Sequence, residues 1–146
     1  MDEATEASIF DGLNNHLKTQ HALCDALEKI ADGLPSNVDR QECLHLAKSI
    51  FPIVKRAHEF EEKNLFPIFS QSKYQADPEA VLARLHSEHW EDESYALELQ
   101  DALTEFAANS PTSNPEALGY MLRGFFGSLR RHIASEEEFF NPKLTM

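Results

Sequence analysis

Apolar residues recur along this chain at intervals of three and four, in four blocks set apart by short clusters of helix-breaking residues. The first block begins near Ile9, carries Phe10, Leu13, Leu17, Cys24, Leu27 and Ala31 on one stripe, and stops at Gly33-Leu34-Pro35-Ser36. The second runs from about Asp39 to Phe69 with Leu44, Ala47, Phe51, Val54, Leu65 and Phe69 as its stripe. Pro52 in its interior predicts a kink, and Pro67 a bend or an end in its last turn. A polar segment from Ser70 to Asp77 leads to Pro78, which suits a first helical position behind a capping Asp77. Leu82, Leu85, Ala96, Leu99, Leu103 and Phe106 then continue a stripe that closes near Asn109. A second proline start, Asn114-Pro115-Glu116, opens the last block, marked by Leu118, Leu122, Phe125, Leu129, Phe139 and Phe140. Spacing near 3.6 is that of an amphipathic helix, and no segment alternates with the period of two that a half-buried strand needs. The expected fold is all-α: four helices packed up-down-up-down as a bundle, in one domain spanning residues 1–146.

Composition narrows what such a bundle does. A chain of 146 residues with 42% hydrophobic content buries a core without needing a metal or a disulfide merely to fold. Thirteen Lys and Arg scattered among twenty-five acids give a formal charge of −12, which argues against nucleic acid and against anionic membrane surfaces. The opening residues MDEATEASIF carry neither a basic region nor an apolar run of signal-peptide length, and no segment is apolar enough to span a bilayer, so a cytoplasmic location is expected. Cys24 and Cys43 sit within helical patterns in no recognised spacing, as reduced thiols would.

The chemistry lies in the histidines. His58 precedes Glu62, and His132 precedes Glu136, by four residues, one helical turn, so each pair points the same way. His21 and His89 share the phrase Leu-x-x-x-His, on the first and third helices. Spacing alone is weak, since Asp25 and Glu93 follow His21 and His89 at the same offset; the phase is what counts. All six residues fall between stripe positions, where a buried charge without a partner costs several kcal/mol, so they must satisfy one another or share a cation. Imidazole with carboxylate is a ligand set for iron or zinc before calcium, and two bridging carboxylates let two ions share six ligands and keep positions open. Competing motifs fail: Glu-x-x-His occurs once, as Glu42 and His45, and the zinc-protease phrase begun by His58-Glu59 has Glu where its second His belongs. His16 turns toward the bundle edge, and Trp90 and Tyr95 are expected to pack beside the third-helix site.

At these residues the phrases TQHALCDALEKI, AHEFEEKNLFPIF, SEHWEDE and RHIASEEEFFNP resemble, in order, the four motifs of the hemerythrin and hemerythrin-like (HHE cation-binding) family, over nearly the whole chain. The resemblance implies a hemerythrin-like bundle holding two iron ions with an oxo- or hydroxo-type bridge. His21 and His58 would serve one iron, His89 and His132 the other, and Glu62 and Glu136 would bridge. It also implies an open position for a small ligand such as dioxygen. Oxygen-carrying members place a second histidine one turn before the third-helix histidine, where this chain has Leu85; His86, Glu93 or Asp92 could stand in. Their last carboxylate falls five residues after its histidine, at Glu137 here. Some iron-sensing relatives instead use the four-residue spacing and a glutamate directly after the second-helix histidine, matching Glu59.

Three kinds of function fit this pattern: a protein that binds or senses dioxygen, nitric oxide or iron; a di-iron enzyme for redox chemistry or iron delivery to damaged iron sites; and a bundle with a structural metal only. The first is the expectation, since the extra cysteine-rich sequence that often accompanies the second is absent.

Overall fold

The computed structural model describes residues 3–69 and 77–145, the side chains beyond 140 excepted. Its elements are α1 (Glu3–Gly33), α2 (Arg40–Asn64), the single turn α3 (Phe66–Phe69), α4 (Pro78–Ala107) and α5 (Pro115–Thr145). No strand occurs among the described residues, and no helix there is long and apolar enough to cross a membrane. The polar connector at residues 70–76 lies outside the description.

Local chemistry sets the helix ends. Asp39 accepts from the amides of Gln41 and Glu42, Asp77 from Ala80, and Asn114 from Ala117, each satisfying a donor that the first turn leaves without an intrahelical partner. Pro78 and Pro115 open their helices where no N–H is needed. At the end of α4, Asn109 adopts a left-handed φ of 58° while its amide donates to the Phe106 carbonyl and that of Ser110 to Glu105, the paired bonds of a Schellman cap. Helix α1 begins at Glu3, ahead of the expected Ile9, with Glu3 and Glu6 in its first turn where the helix dipole favours negative charge. Helix α2 runs through Pro52 and stops at Asn64, so the second block divides at Leu65, just before Pro67.

Helix α2 packs chiefly on α4 and α1 on α5, and α1 with α2 and α4 with α5 close the square. Contacts give every neighbouring pair an antiparallel register: Lys55 to Glu93 and Glu62 to His86 for α2 and α4; Arg123 to Asp32 and Arg130 to Asp25 for α1 and α5. Lys29 to Glu42 joins α1 to α2, and the Tyr95 hydroxyl donates to the Met121 carbonyl between α4 and α5. The fold is therefore an up-down-up-down bundle. Its seam follows alternating steps of four and three: Leu13, Leu17, Gln20, Cys24, Leu27 and Ala31 on α1; Leu82, Leu85, His89, Asp92, Ala96, Leu99, Leu103 and Phe106 on α4.

On α2 the seam differs from the expected stripe by one residue. Cys43, Ile50, Val54, Ala57 and Glu61 are buried, while Leu44 and Phe51 are only partly so. Cys24 and Cys43 are both free thiols in the core, and burial pushes the Cys24 thiol up to about 11. Trp90 does not pack: it is 70% exposed on the outer face of α4. Tyr95 does, with its ring against Phe125.

Candidate metal centre

The seam turns polar toward the α3 end of the bundle. His58 and Glu61 on α2, His89 on α4, and His132 and Glu136 on α5 are all at least nine-tenths buried. Their ligand atoms form two overlapping groups: His58, His89 and His132, and Glu61, His89, His132 and Glu136, each with its atoms within 4.8 Å of one another. The His58 and His89 rings stack 3.8 Å apart, His132 stands 5.3 Å from His89, and Glu136 contacts His132 Nε2 directly. A Glu61 oxygen lies 3.5 Å from His89 Nε2.

Carboxylates of α4 orient two of these rings from outside. Glu93 lies 2.8 Å from His58 Nδ1 and is itself held by Lys55 at 3.1 Å. Glu88 lies 3.1 Å from His132 Nδ1, with Asp92 at 3.8 Å. With Nδ1 so occupied, Nε2 of each ring is left as the nitrogen available to coordinate, and the carboxylates give the outer support that metal-bound imidazoles generally have. The Nε2 atom of His58, both His89 nitrogens and both oxygens of Glu61 have no hydrogen-bond partner, and His132 Nε2 and Glu136 touch one another without forming a hydrogen bond. Buried polar atoms are nearly always satisfied, so this concentration of orphans around one point is what a cation would complete.

The electrostatics agree. Burial, together with its imidazole neighbours, lowers the His58 pKa to about 2, and burial also lowers those of His89 and His132 to about 4, so all three rings are neutral and able to coordinate. Burial likewise holds the Glu136 carboxyl well above its usual range and pushes Asp92 up to about 7, aided by Glu88, Glu91 and Glu93. A cation arriving here displaces a proton from Glu136, so its affinity rises with pH.

Four of the six main residues expected from the sequence meet in this cluster: His58, His89, His132 and Glu136. His21 does not. It lies on the outer side of α1, its side chain 49% exposed, 2.8 Å from Glu137. Gln20 occupies the inner position instead, fully buried with both amide atoms unpartnered. Because His21 pairs with Glu137, Gln20 stands at the level of Glu136 on the neighbouring helix. Glu62 is also displaced from its expected place: it turns to the rim, 2.5 Å from His86 Nδ1 and 4.0 Å from His89 Nδ1, and Glu61 takes the buried place. Glu93 supports His58, Glu59 lies exposed near Lys55 at 4.0 Å, and His16 rests against the Phe60 ring. The sequence reading missed Glu61, Glu88 and Gln20; steps of four and three along the seam would have found Gln20 and Glu61.

Aromatic rings close the end of the site. Phe66 of α3 lies over His89 at 5.6 Å and meets His86 edge-on, and Phe69 packs against Phe139 and Phe140. Water is thereby kept from the imidazoles on that side.

The profile of the hemerythrin HHE cation binding domain matches residues 10–144, and the chain belongs to that family. Comparison with curated proteins and with solved structures gives no match. Family and geometry together fit a metal-binding protein whose centre is the buried His and Glu cluster.

Proposed function

We propose that this protein is a non-haem iron protein that binds or senses a small ligand such as dioxygen or nitric oxide. The observation that carries the reading is the convergence of three neutral imidazoles and two carboxylates, nearly all their inward atoms unpartnered, in a chamber walled by aromatic rings. His58, Glu61, His89, His132 and Glu136 hold the metal in this reading, and the metal supplies the affinity for the small ligand. Mixed imidazole and carboxylate donors suit iron, and five protein donors leave a sixth octahedral position free. Glu93, Lys55 and Glu88 fix the ring orientations. A second iron, as in the bridged pair that the family resemblance implies, would draw on Glu62 and His86, already paired 4.0 Å from His89.

The test is metal analysis of the purified protein with an absorption spectrum before and after reduction, followed by addition of nitric oxide to the reduced form. The expected result is two irons per chain, near-ultraviolet and visible bands that bleach on reduction, and new bands with nitric oxide. A ratio of one would confine the centre to the five buried donors. Zinc without a chromophore would overturn the iron reading.

A further inference from the structure

A cavity of about 290 Å³ opens between α4 and α5, with Glu88, Glu91, Asp92, Arg131, His132 and Ser135 among its walls. Its outer wall is exposed Glu91; its inner wall is His132, which belongs to the metal cluster. Asp92 stands between them. It is 9% exposed, and its Oδ2 atom is shut off from solvent, lacks a hydrogen-bond partner and lies 3.8 Å from His132 Nδ1. Glu88 and Glu91 against the Arg131 guanidinium leave the mouth of the cleft negative. The other sides of the cluster differ: Phe66, Phe69 and Phe140 close the α3 end, the buried Gln20 faces it from α1, the Lys55 and Glu93 pair lies outside His58, and the Glu62 and His86 pair forms the rim beside His89.

We propose that this cleft is the route by which a hydrated divalent cation reaches the buried centre, captured by Glu91 and Glu88 at the mouth, handed to Asp92, and from there to His132 and Glu136. The inference rests on the metal-binding reading above. A cation moving inward exchanges its water one oxygen at a time for carboxylate oxygens, and Asp92 supplies an oxygen that has no other partner. No bond is made or broken other than coordination. Charge at the mouth acts on the rate of capture and not on the final occupancy, because Glu91 does not touch the bound ion, and the rate falls as salt screens the mouth.

The test follows uptake of Co(II), an oxygen-stable divalent probe with visible bands, into the metal-free full-length protein by stopped-flow absorbance. Glu91→Gln slows uptake about threefold and Glu91→Lys about tenfold or more, while final stoichiometry and spectrum equal those of the wild type. Ser135→Phe, which plugs the cleft, slows uptake further still. Glu105→Gln, an exposed acid near the far end of α4, leaves the rate unchanged. Wild-type rates in both Glu91 variants, or equal slowing in the Glu105 control, would overturn the route. Exposed Glu91 tolerates substitution, so the Glu91 arm decides even where Ser135→Phe fails to fold. A wild-type protein that takes up no metal contradicts the metal reading itself, an outcome separate from unchanged rates in the variants.

Discussion

The two ends of this bundle use the same seam positions for opposite purposes. At the end where α1 leads into α2 and α4 into α5, Ile30, Cys43, Ala47, Leu103, Phe106, Leu118 and Leu122 fill the seam with apolar side chains, and the Arg40 guanidinium donates to the Phe106 carbonyl across the mouth of the bundle. Toward the α3 end, the same alternation of three and four brings in Gln20, Glu61, His89, Asp92, His132 and Glu136. The first arrangement gains stability from burial; the second loses it, because buried polar atoms there have given up water without gaining partners. The apolar end thus carries folding, and the polar end holds a cost that a bound cation removes.

The sharpest way to break that comparison is to truncate the apolar end. Leu122→Ala, at a fully buried position, is expected to lower unfolding free energy by about 2–5 kcal/mol, yet leave metal per folded chain unchanged. Urea unfolding and metal analysis on the same preparation check both halves. Loss of metal in that variant would mean the two ends are not independent.

Metal addition sharpens it from the other side. At free metal about a hundredfold above Kd, the wild type gains about 2.7 kcal/mol, a gain Leu122→Ala retains and His132→Ala loses. Thermal unfolding with and without metal reads the difference. The metal-free His132→Ala protein stays folded, since the apolar seam does not depend on the imidazole.

Gln20→Leu is expected to stabilise the metal-free protein by about 1–2 kcal/mol, because it replaces a fully buried amide whose nitrogen and oxygen both lack partners. Destabilisation would show that Gln20 has a partner in solution.

Acid separates the contributions more finely. His58, His89 and His132 have lowered folded pKa values, so between their unfolded value near 6.5 and about 4 the unfolded chain binds more protons and stability falls with acidification. Asp92 and Glu136, held protonated in the folded state, act oppositely: acidification through the same range favours folding. Three groups against two leave a net loss of about 1 kcal/mol per pH unit below pH 6.5 in the metal-free protein. Asp92→Asn removes one opposing group and is expected to steepen that loss about twofold, as pH-dependent urea midpoints will show.

The helices, their caps and the bundle were legible from stripe spacing and from Asp39, Asp77, Pro78, Asn114 and Pro115, because each acts through local chemistry. His89, His132 and Glu136 were legible for the same reason: they continue stripes whose phase Leu85, Leu129 and Phe140 fix unambiguously. The errors fell on α1 and α2. Taking Leu44 and Phe51 as inward set the α2 phase one residue late, which favours Glu62; the observed seam through Cys43, Ile50, Val54 and Ala57 favours Glu61. Offsets of three and four both lie on the helix face of His58, so only packing chooses between them. On α1 the histidine drew attention from the glutamine before it, although the steps of four and three through Leu13, Leu17 and Cys24 place Gln20 and not His21 on the seam. Glu88 and Glu93 were beyond sequence reasoning as ring supports, since their roles depend on which helices neighbour α4.

The most direct test of the centre is the iron content of Glu61→Gln/Glu136→Gln beside that of Glu62→Gln, each loaded anaerobically with Fe(II) and desalted. The expected result is an empty double variant and at least one iron per chain in Glu62→Gln, because the buried carboxylates are Glu61 and Glu136 while Glu62 lies at the rim. Full iron in the double variant, or an empty Glu62→Gln protein beside a loaded Glu61→Gln one, would contradict the centre described here.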